Sequence, residues 1–130
     1  MKGTITALIV SLLIFHSPRV QSEEAEVKVL DTWPQGFYGE VSIEIEEPVE
    51  DGWQVVLTFA KPVKRLLVWN ARVDSVSDDK MVYVLKNRFG NPSLEAEHPF
   101  KFRFLGYKKF GQLTPSISAE FSRLDEGSGF

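Results

Sequence analysis

Short runs of alternating apolar and polar residues constrain the fold of this chain more than any other feature of its sequence. Residues 41–46 (VSIEIE) alternate without a fault, and residues 100–104 (FKFRF) place three phenylalanines on one side. A period of two puts alternate side chains on opposite faces of a β-strand. Beyond residue 22, no stretch of ten or more residues carries the period of an amphipathic helix. The sequence therefore predicts an all-β fold.

Further apolar runs, separated by turn residues, bring the predicted strand count to seven or eight. They lie at 53–59, 65–71, 81–85 and 117–121, and residues rich in Gly, Pro, Asp and Asn separate them. Short strands spaced roughly 8–12 residues apart are typical of a sandwich or barrel. We predict a single antiparallel β-sandwich of the immunoglobulin-like or jelly-roll type. It can contain no disulfide, because the chain has no cysteine.

The first 22 residues have the pattern of a secretory signal peptide. Lys2 precedes an apolar stretch at 5–15, and Val20 and Ser22 are small residues suited to a cleavage site. We predict cleavage after Ser22 and a secreted, extracellular protein. The remaining chain is predicted to comprise an acidic leader at 23–26, the sandwich at 27–122 and a flexible tail at 123–130.

Charge and cysteine content narrow the range of partners. The whole chain has a formal net charge of −3, and loss of Lys2 and Arg19 with the signal peptide would leave −5. An acidic protein of this kind is not expected to bind nucleic acid or an anionic membrane surface. The absence of cysteine excludes thiol catalysis and thiolate metal sites.

No pattern in the sequence predicts catalysis, a metal site or a cofactor. His98 is the one histidine beyond the predicted signal peptide, and no catalytic motif surrounds it. Glu44 and Glu46 fall on the polar side of an alternating strand, where a solvating role is favoured over a glycosidase carboxylate pair. The acidic residues Glu47, Asp78 and Asp79 are interpreted in the same way.

The three tryptophans are the strongest functional signal in the residues themselves. Trp53 begins a run in phase with Val55 and Leu57, so we expect it in the core together with Phe37, Phe102 and Phe104. Trp33 lies in a polar, turn-like segment, and Trp69 is in phase with Leu67. For Trp33 and Trp69 the pattern alone leaves open a core position and an exposed platform for sugar rings.

The order of these aromatic motifs resembles that of the family 2 carbohydrate-binding modules. The motifs are Trp-x-x-Gly-Phe at 33–37, Gly-Trp at 52–53 and Trp-Asn-Ala at 69–71. Residues 87–94 (NRFGNPSL) resemble the family's loop, and 102–104 (FRF) stand where the family has Phe-Gly-Phe. Proline 115 lies near the family's late proline. The resemblance covers 27–121, and Arg103 and the missing cysteine pair depart from the family pattern.

The resemblance implies a nine-stranded antiparallel sandwich that binds cellulose, chitin or xylan. It implies that Trp33 and Trp69 are exposed platforms and that Trp53 is buried. The family's third platform precedes the loop Asn, here Asn91, and the residue at that position is Gly90. A third platform is therefore either Phe89, shifted by one residue, or absent. Candidates for hydrogen bonds to sugar hydroxyls are Gln54, Asn70, Asn87 and Asn91.

We therefore predict a secreted, non-catalytic protein that binds an insoluble polysaccharide, a cellulose- or chitin-like β-1,4-glycan. The alternative is an acidic extracellular matrix or biomineral-associated protein on the same fold. Its contacts would be cations, mineral or matrix partners at Glu44, Glu46 and Glu47. The acidic composition motivates this alternative, as does the absence of a clear third platform.

Overall fold

A computed structural model describes residues 22–124 of the chain. Within this range it contains eight β-strands and no helix. No helix in the described part is long and apolar enough to cross a membrane. The strands are β1 (Ser22–Trp33), β2 (Gly36–Ile43), β3 (Trp53–Phe59), β4 (Arg65–Val68), β5 (Arg72–Val76), β6 (Val82–Lys86), β7 (Phe100–Tyr107) and β8 (Ile117–Arg123).

All strand pairs are antiparallel, and the long strand β1 belongs to both halves of the structure. The spatial order is β4-β7-β2-β1-β8-β3-β6-β5. Residues 22–25 of β1 pair with β8, whereas residues 26–33 pair with β2. We call β4, β7, β2 and the second part of β1 the front half. The back half consists of β5, β6, β3, β8 and the first part of β1.

Aromatic side chains from the two halves meet in the core. The ring of Phe37 on β2 lies 6.0 Å from that of Phe59 on β3. Trp53 on β3 packs against Phe102 on β7 at 6.1 Å. Because β3 is not a hydrogen-bonding neighbour of β2 or β7, these contacts join two faces across a sandwich. The all-β antiparallel fold predicted from the sequence is confirmed, and its eight strands form one continuous sheet whose two halves pack face to face.

The alternation in the sequence determines which side chains fill this core. Along β3, residues 53, 55, 57 and 59 are buried, while 54, 56 and 58 are half-buried or exposed. Along β7, residues 102, 104 and 106 are buried, and 101 and 103 are exposed. Val41, Ile43 and Ile45 are buried as their alternation predicts. The four aromatics expected in the core, Phe37, Trp53, Phe102 and Phe104, are at most 1% exposed.

A β-bulge in β1 changes which of its residues face the core. Val27 pairs with Val41, and Val29 pairs with Gly39. Val41 and Gly39 are on the inward side of β2. Leu30 has no partner, and pairing resumes with Asp31 opposite Tyr38. An unpaired residue inverts the inward and outward alternation of the residues that follow it. Trp33 therefore faces outward.

The structure corrects several expectations for the ends of the sandwich. Residues 23–26 are part of β1, paired with β8, and do not form a separate acidic leader. The sandwich ends with β8 at Arg123 instead of residue 122. The turn-like segment around Trp33 is the end of β1, and a two-residue turn at 34–35 leads into β2. The predicted signal peptide, apart from Ser22, and the tail beyond residue 124 lie outside the described residues.

The eight strands fall within the seven or eight predicted from turn spacing, whereas the resemblance implied nine. An isolated bridge joins the segment between β2 and β3 to the segment between β6 and β7, where Val49 pairs with Leu94 through two 2.9 Å backbone hydrogen bonds. One bridge is too short to form a strand.

The backbone at Gly106 lies so close to a core ring that we expect any added side-chain atom to destabilise the fold. A Cβ atom at Gly106 would lie 2.3 Å from Cζ of Phe37, whose ring is fixed in the core. We expect Gly106→Ala to lower the free energy of unfolding by about 1–3 kcal/mol, the usual cost of overpacking. Urea denaturation measures this. The matched control is Gly90→Ala, where nothing lies within 4 Å of the added atom. Equal midpoints for the two variants would contradict the described packing.

Candidate functional site

The outward surface of the front half carries four aromatic side chains, Trp33, Tyr38, Trp69 and Tyr107. We call this set the aromatic face. Cross-strand partners share a side of the sheet, so the registers assign its rows. The first row is Arg65, Tyr107, Gly36 and Trp33. The second is Leu67, Leu105, Tyr38 and Asp31. The third contains Arg103, Glu40 and Lys28.

Trp69 continues β4 by one residue and is the most exposed tryptophan. Its backbone N–H donates to the carbonyl of Arg103 at 3.0 Å, which extends the ladder between β4 and β7. The side chain is 47% exposed. Its ring meets that of Tyr38 edge-on, with centroids 6.3 Å apart. One strand, β7, lies between these residues, so their rings lean toward each other over it.

Trp33 is half-buried because its ring lies against the backbone of β2. The position a Cβ atom would take at Gly36 is 3.0 Å from Cζ2 of Trp33. The glycine therefore provides the space in which the indole lies. Trp33 also lines a shallow cleft of about 370 Å³ with Gln112 and Thr114. Within the described residues, Nε2 of Gln112 and Oγ1 of Thr114 are buried without a hydrogen-bond partner.

Arg103 holds the centre of the aromatic face in place. Its Nε donates to Glu40 at 3.1 Å, and its Nη1 donates to the hydroxyl of Tyr38 at 3.2 Å. The guanidinium also lies 5.7 Å from the centre of the Tyr38 ring. These hydrogen bonds, first that to Tyr38 and then that to Glu40, raise the pKa of Arg103 above its usual value. Arg103 departs from the family pattern, and here it positions an aromatic ring.

The tryptophans occupy diagonal corners of this surface. Trp69 and Trp33 lie three strands and about four residues apart, which corresponds to about 20 Å between their backbones. Tyr38 lies between them on β2. The aromatic side chains thus form an open diagonal on a sheet surface instead of lining an enclosed pocket. Such an arrangement can contact an extended chain of several rings.

Phe89 is fully exposed on a loop that is tied to the segment carrying Trp69. The side-chain amide of Asn91 donates to the carbonyl of Asn70, the residue after Trp69, at 2.8 Å. The carbonyl of Asn91 accepts a bond from the Trp53 indole at 2.9 Å. The loop is thereby anchored both to the core and to the end of β4. Phe89 itself packs against nothing, since its side chain is 100% exposed.

The amide side chains of this loop serve the fold. Oδ1 of Asn87 accepts from the backbone N–H of Trp53 at 3.1 Å, and its Nδ2 donates to the carbonyl of Arg88. Oδ1 of Asn91 accepts from the backbone N–H of Arg88 at 2.7 Å. Both ends of each amide are thus engaged within the protein. Asn70 has a left-handed backbone (φ 66°), which asparagine tolerates better than most residues.

Gln54 does not join the other candidate residues. It lies on the outward side of β3, in register with Lys86 and Ser122 in the back half. The aromatic face is on the opposite side of the sandwich. The alternation of β3 fixes this position, because Trp53 and Val55 on either side of Gln54 are buried. A sugar stacked on Trp69 is therefore out of reach of Gln54.

Two residues of the aromatic face, Tyr38 and Tyr107, were not among the sequence-based candidates. Tyr38 separates the buried residues Phe37 and Gly39, and Tyr107 separates Gly106 and Lys108, which are also buried. Their phase along the strand was the signal that could have identified them. Leu67 and Leu105 extend the same surface for the same reason.

The acidic residues considered for catalysis are either hydrogen-bonded in a turn or exposed on a connecting segment. Asp79 accepts bonds from the hydroxyl of Ser77 at 2.7 Å and the N–H of Met81 at 3.0 Å, which lower its pKa. It therefore stabilises the turn between β5 and β6. Glu44, Glu46 and Glu47 are exposed beyond the end of β2, so the matrix alternative stays a prediction. Among residues 22–124, no group of three or more His, Cys, Asp or Glu could hold a metal ion.

Comparison with known proteins supports the fold and leaves the family open. No protein-family model matches the chain, and no curated protein matches it. A solved structure of chitinase ChiA74 from Bacillus thuringiensis is similar, with a TM-score of 0.53 and 18% sequence identity. The match covers 72% of this chain but only 14% of the chitinase chain. At this identity the likeness shows a shared fold alone, and the resemblance to family 2 modules stays a prediction.

Proposed function

We propose that this protein is a non-catalytic polysaccharide-binding protein that holds its ligand on the aromatic face. The observation that carries the proposal is the exposed ring of Trp69 beside Tyr38 on the outer surface of the front half. Leu67 and Leu105 lie on the same side of the sheet, and a contiguous apolar patch marks a binding surface more often than a single exposed residue does. Rings of this kind stack on the apolar C–H faces of pyranose sugars.

The shape of the aromatic face favours a long glycan over a single sugar. Its diagonal crosses all four strands of the front half, from β4 to β1. β4 is an edge strand, and residues 26–33 of β1 pair only with β2. The surface is therefore unobstructed by a neighbouring strand at both sides. An extended β-1,4-linked chain could lie across it and continue beyond each edge.

Polar groups beside the rings fit the hydroxyls of such a ligand. Gln112 and Thr114 line the cleft next to Trp33, and each has a side-chain polar atom without a partner in the described residues. Rotation of either side chain toward a bound sugar would give that atom a hydroxyl partner and relieve the cost of leaving it unpaired. These two residues are better placed for that role than Gln54, Asn87 or Asn91.

The carboxylates on the aromatic face support a binding role without catalysis. Glu40 is paired with Arg103 at 3.1 Å, and Asp31 accepts the backbone N–H of Thr32 at 2.9 Å. A glycosidase needs one carboxyl group free to protonate the leaving oxygen and a second to act as base or nucleophile. Glu40 is engaged by Arg103 and Asp31 is exposed to solvent, so neither has the enclosed apolar surroundings of a carboxyl group that acts as a general acid.

Chitin and cellulose are the first ligands to test. The resemblance to carbohydrate-binding modules implies cellulose or chitin, and the similar structure is that of a protein named as a chitinase. Both polymers present flat rings with similar apolar faces, so stacking alone does not choose between them.

We also propose that the protein acts outside the cell, on the basis of the apolar segment at 5–15 and the residues that follow it. Expression of the full chain in secreting cells should release a protein whose N-terminus, determined by mass spectrometry, lies within about two residues of Glu23. Retention of the whole chain in the cells would contradict export.

Loss of aromatic rings should weaken depletion of the protein by the insoluble polymer. We expect a Trp69→Ala and Tyr38→Ala double variant to bind microcrystalline cellulose or chitin at least 10-fold more weakly, since each stacking contact contributes about 1–3 kcal/mol by analogy with nucleic-acid bases. The measurement is the amount of protein left in solution after incubation with increasing polymer.

The control for this experiment is Val76→Ala, which removes an exposed apolar side chain from β5 in the back half. It should bind as the unaltered protein does. Urea unfolding of all proteins separates loss of binding from loss of fold. Unchanged depletion by the double variant, or no depletion of the unaltered protein by either polymer, would refute the proposed function.

A further inference from the structure

Basic residues gather at one end of the sandwich, next to the aromatic face. Two segments meet there: 60–65, which connects β3 to β4 and includes the first residue of β4, and 108–116, which connects β7 to β8. They contain Lys61, Lys64, Arg65, Lys108 and Lys109 and no acidic residue. The backbone N–H of Lys64 donates to the carbonyl of Tyr107 at 2.7 Å, which joins the two segments. This concentration of positive charge contrasts with the net charge of −3 on the whole chain.

The opposite end of the molecule is acidic. The segment between β2 and β3 carries Glu44, Glu46, Glu47, Glu50 and Asp51, and the isolated bridge joins it to the segment that carries Glu95 and Glu97. Near the basic end, the acidic residues are Asp31, two residues before Trp33, and Asp78 and Asp79 of the β5–β6 turn, where Asp79 is already hydrogen-bonded. Most acidic residues of the connecting segments therefore lie at the opposite end, where Arg88 and Arg123 lie as well.

A cleft of about 480 Å³ lies between the two basic segments. Its walls are formed by three cations and two aromatic rings, together with one amide: Lys64, Arg65, Lys108, Tyr107, Phe110 and Gln35. Phe110 is 71% exposed, and the guanidinium of Arg65 lies 5.9 Å from the centre of the Tyr107 ring. The cleft volume is within the range of small-ligand sites. A cleft lined by both aromatic rings and cations fits a sugar ring that carries a negative group.

The cations of this cleft have no carboxylate partner in the described part of the chain. No Asp or Glu oxygen of residues 22–124 lies within 4 Å of Lys64, Arg65 or Lys108; the ion pairs found there join other residues. Lys108 is only 4% exposed, and its ammonium donates to the carbonyls of Pro34 and Gln112. Buried charges in proteins are normally paired. An anionic group in the cleft would supply the missing opposite charge.

The cleft is continuous with the aromatic face. Arg65 and Tyr107 line the cleft and also belong to the row that ends at Trp33. We infer that the glycan bound by this protein is acidic, and that the cleft binds a carboxylate or sulfate group carried by that glycan. The inference depends on the proposed function, because the sugar rings would lie on the aromatic face while the charged substituent enters the cleft.

A pair of soluble polymers with one backbone tests the inference. Carboxymethyl cellulose and hydroxyethyl cellulose share the β-1,4-glucan chain and differ in charge. We expect the protein to bind the carboxymethyl polymer about 10-fold more tightly in 20 mM salt, and we expect the ratio of dissociation constants to approach one in 500 mM salt. Cellulose sulfate, measured in parallel, distinguishes sulfate from carboxylate as the preferred group.

Variants that each lack one positive charge test whether the preference for the carboxymethyl polymer arises in the cleft. Lys64→Gln and Arg65→Gln should each reduce the preference for the carboxymethyl polymer about 3-fold or more. The matched control is Lys86→Gln, which loses the same charge in the back half, where Lys86 pairs with Asp74 at 3.5 Å. It should keep the preference of the unaltered protein. Urea midpoints establish that all the variants are folded.

The outcomes separate failure of the cleft from failure of the aromatic face. Equal affinity of the unaltered protein for both polymers would overturn the acidic ligand. So would a loss of preference in Lys86→Gln equal to that in Lys64→Gln, because the attraction would then be diffuse. Failure to bind hydroxyethyl cellulose would instead count against the proposed function, since that polymer engages the aromatic face alone.

Discussion

Aromatic rings pack between the two halves of the sandwich, where Phe37 meets Phe59 and Trp53 meets Phe102. With no cysteine in the chain, burial of Phe37, Trp53, Phe102 and their neighbours supplies the cohesion that disulfides give many exported domains. The rings of Phe104 and Phe37 fit because their cross-strand partners, Gly39 and Gly106, have no side chain to occupy the same space. Since side chains alternate along a strand, fixing these rings inward turns the intervening residues outward. The aromatic face is therefore the reverse side of the core.

The sequence predicted those parts of the fold in which alternation is regular. In β3 and β7 an unbroken period of two determines the buried side, and Trp53 could be assigned to the core from phase alone. β1 could not be predicted in this way. It starts with acidic residues, which have a low strand preference, and the bulge at Leu30 inverts its phase before Trp33. The pairing with β2 and β8 overrides both signals.

The candidate site was predictable in part for the same reasons. Trp69 follows the phase of Leu67, but only the pairing of β4 with β7, in which Leu66 is buried and Leu67 lies beside Leu105, shows that this phase faces outward. Tyr38 and Tyr107 become recognisable once cross-strand registers place them in rows with Trp33 and Leu67. The roles of Asn87 and Asn91 could not be predicted, because their side-chain amides bond to residues that are distant in the sequence, Trp53 and Asn70. Such bonds leave no local mark in a sequence.

Stacking of sugar rings on the outward tryptophans can be observed through the three indole N–H signals in a ¹⁵N-correlated NMR titration with soluble cello- and chito-oligosaccharides. The proposed stacking predicts that the signals of Trp69 and Trp33 shift progressively with ligand while that of Trp53, whose N–H is bonded to the carbonyl of Asn91, stays in place. Shifts confined to groups on the outward side of β3, β5 and β6, with Trp69 and Trp33 unmoved, would contradict it.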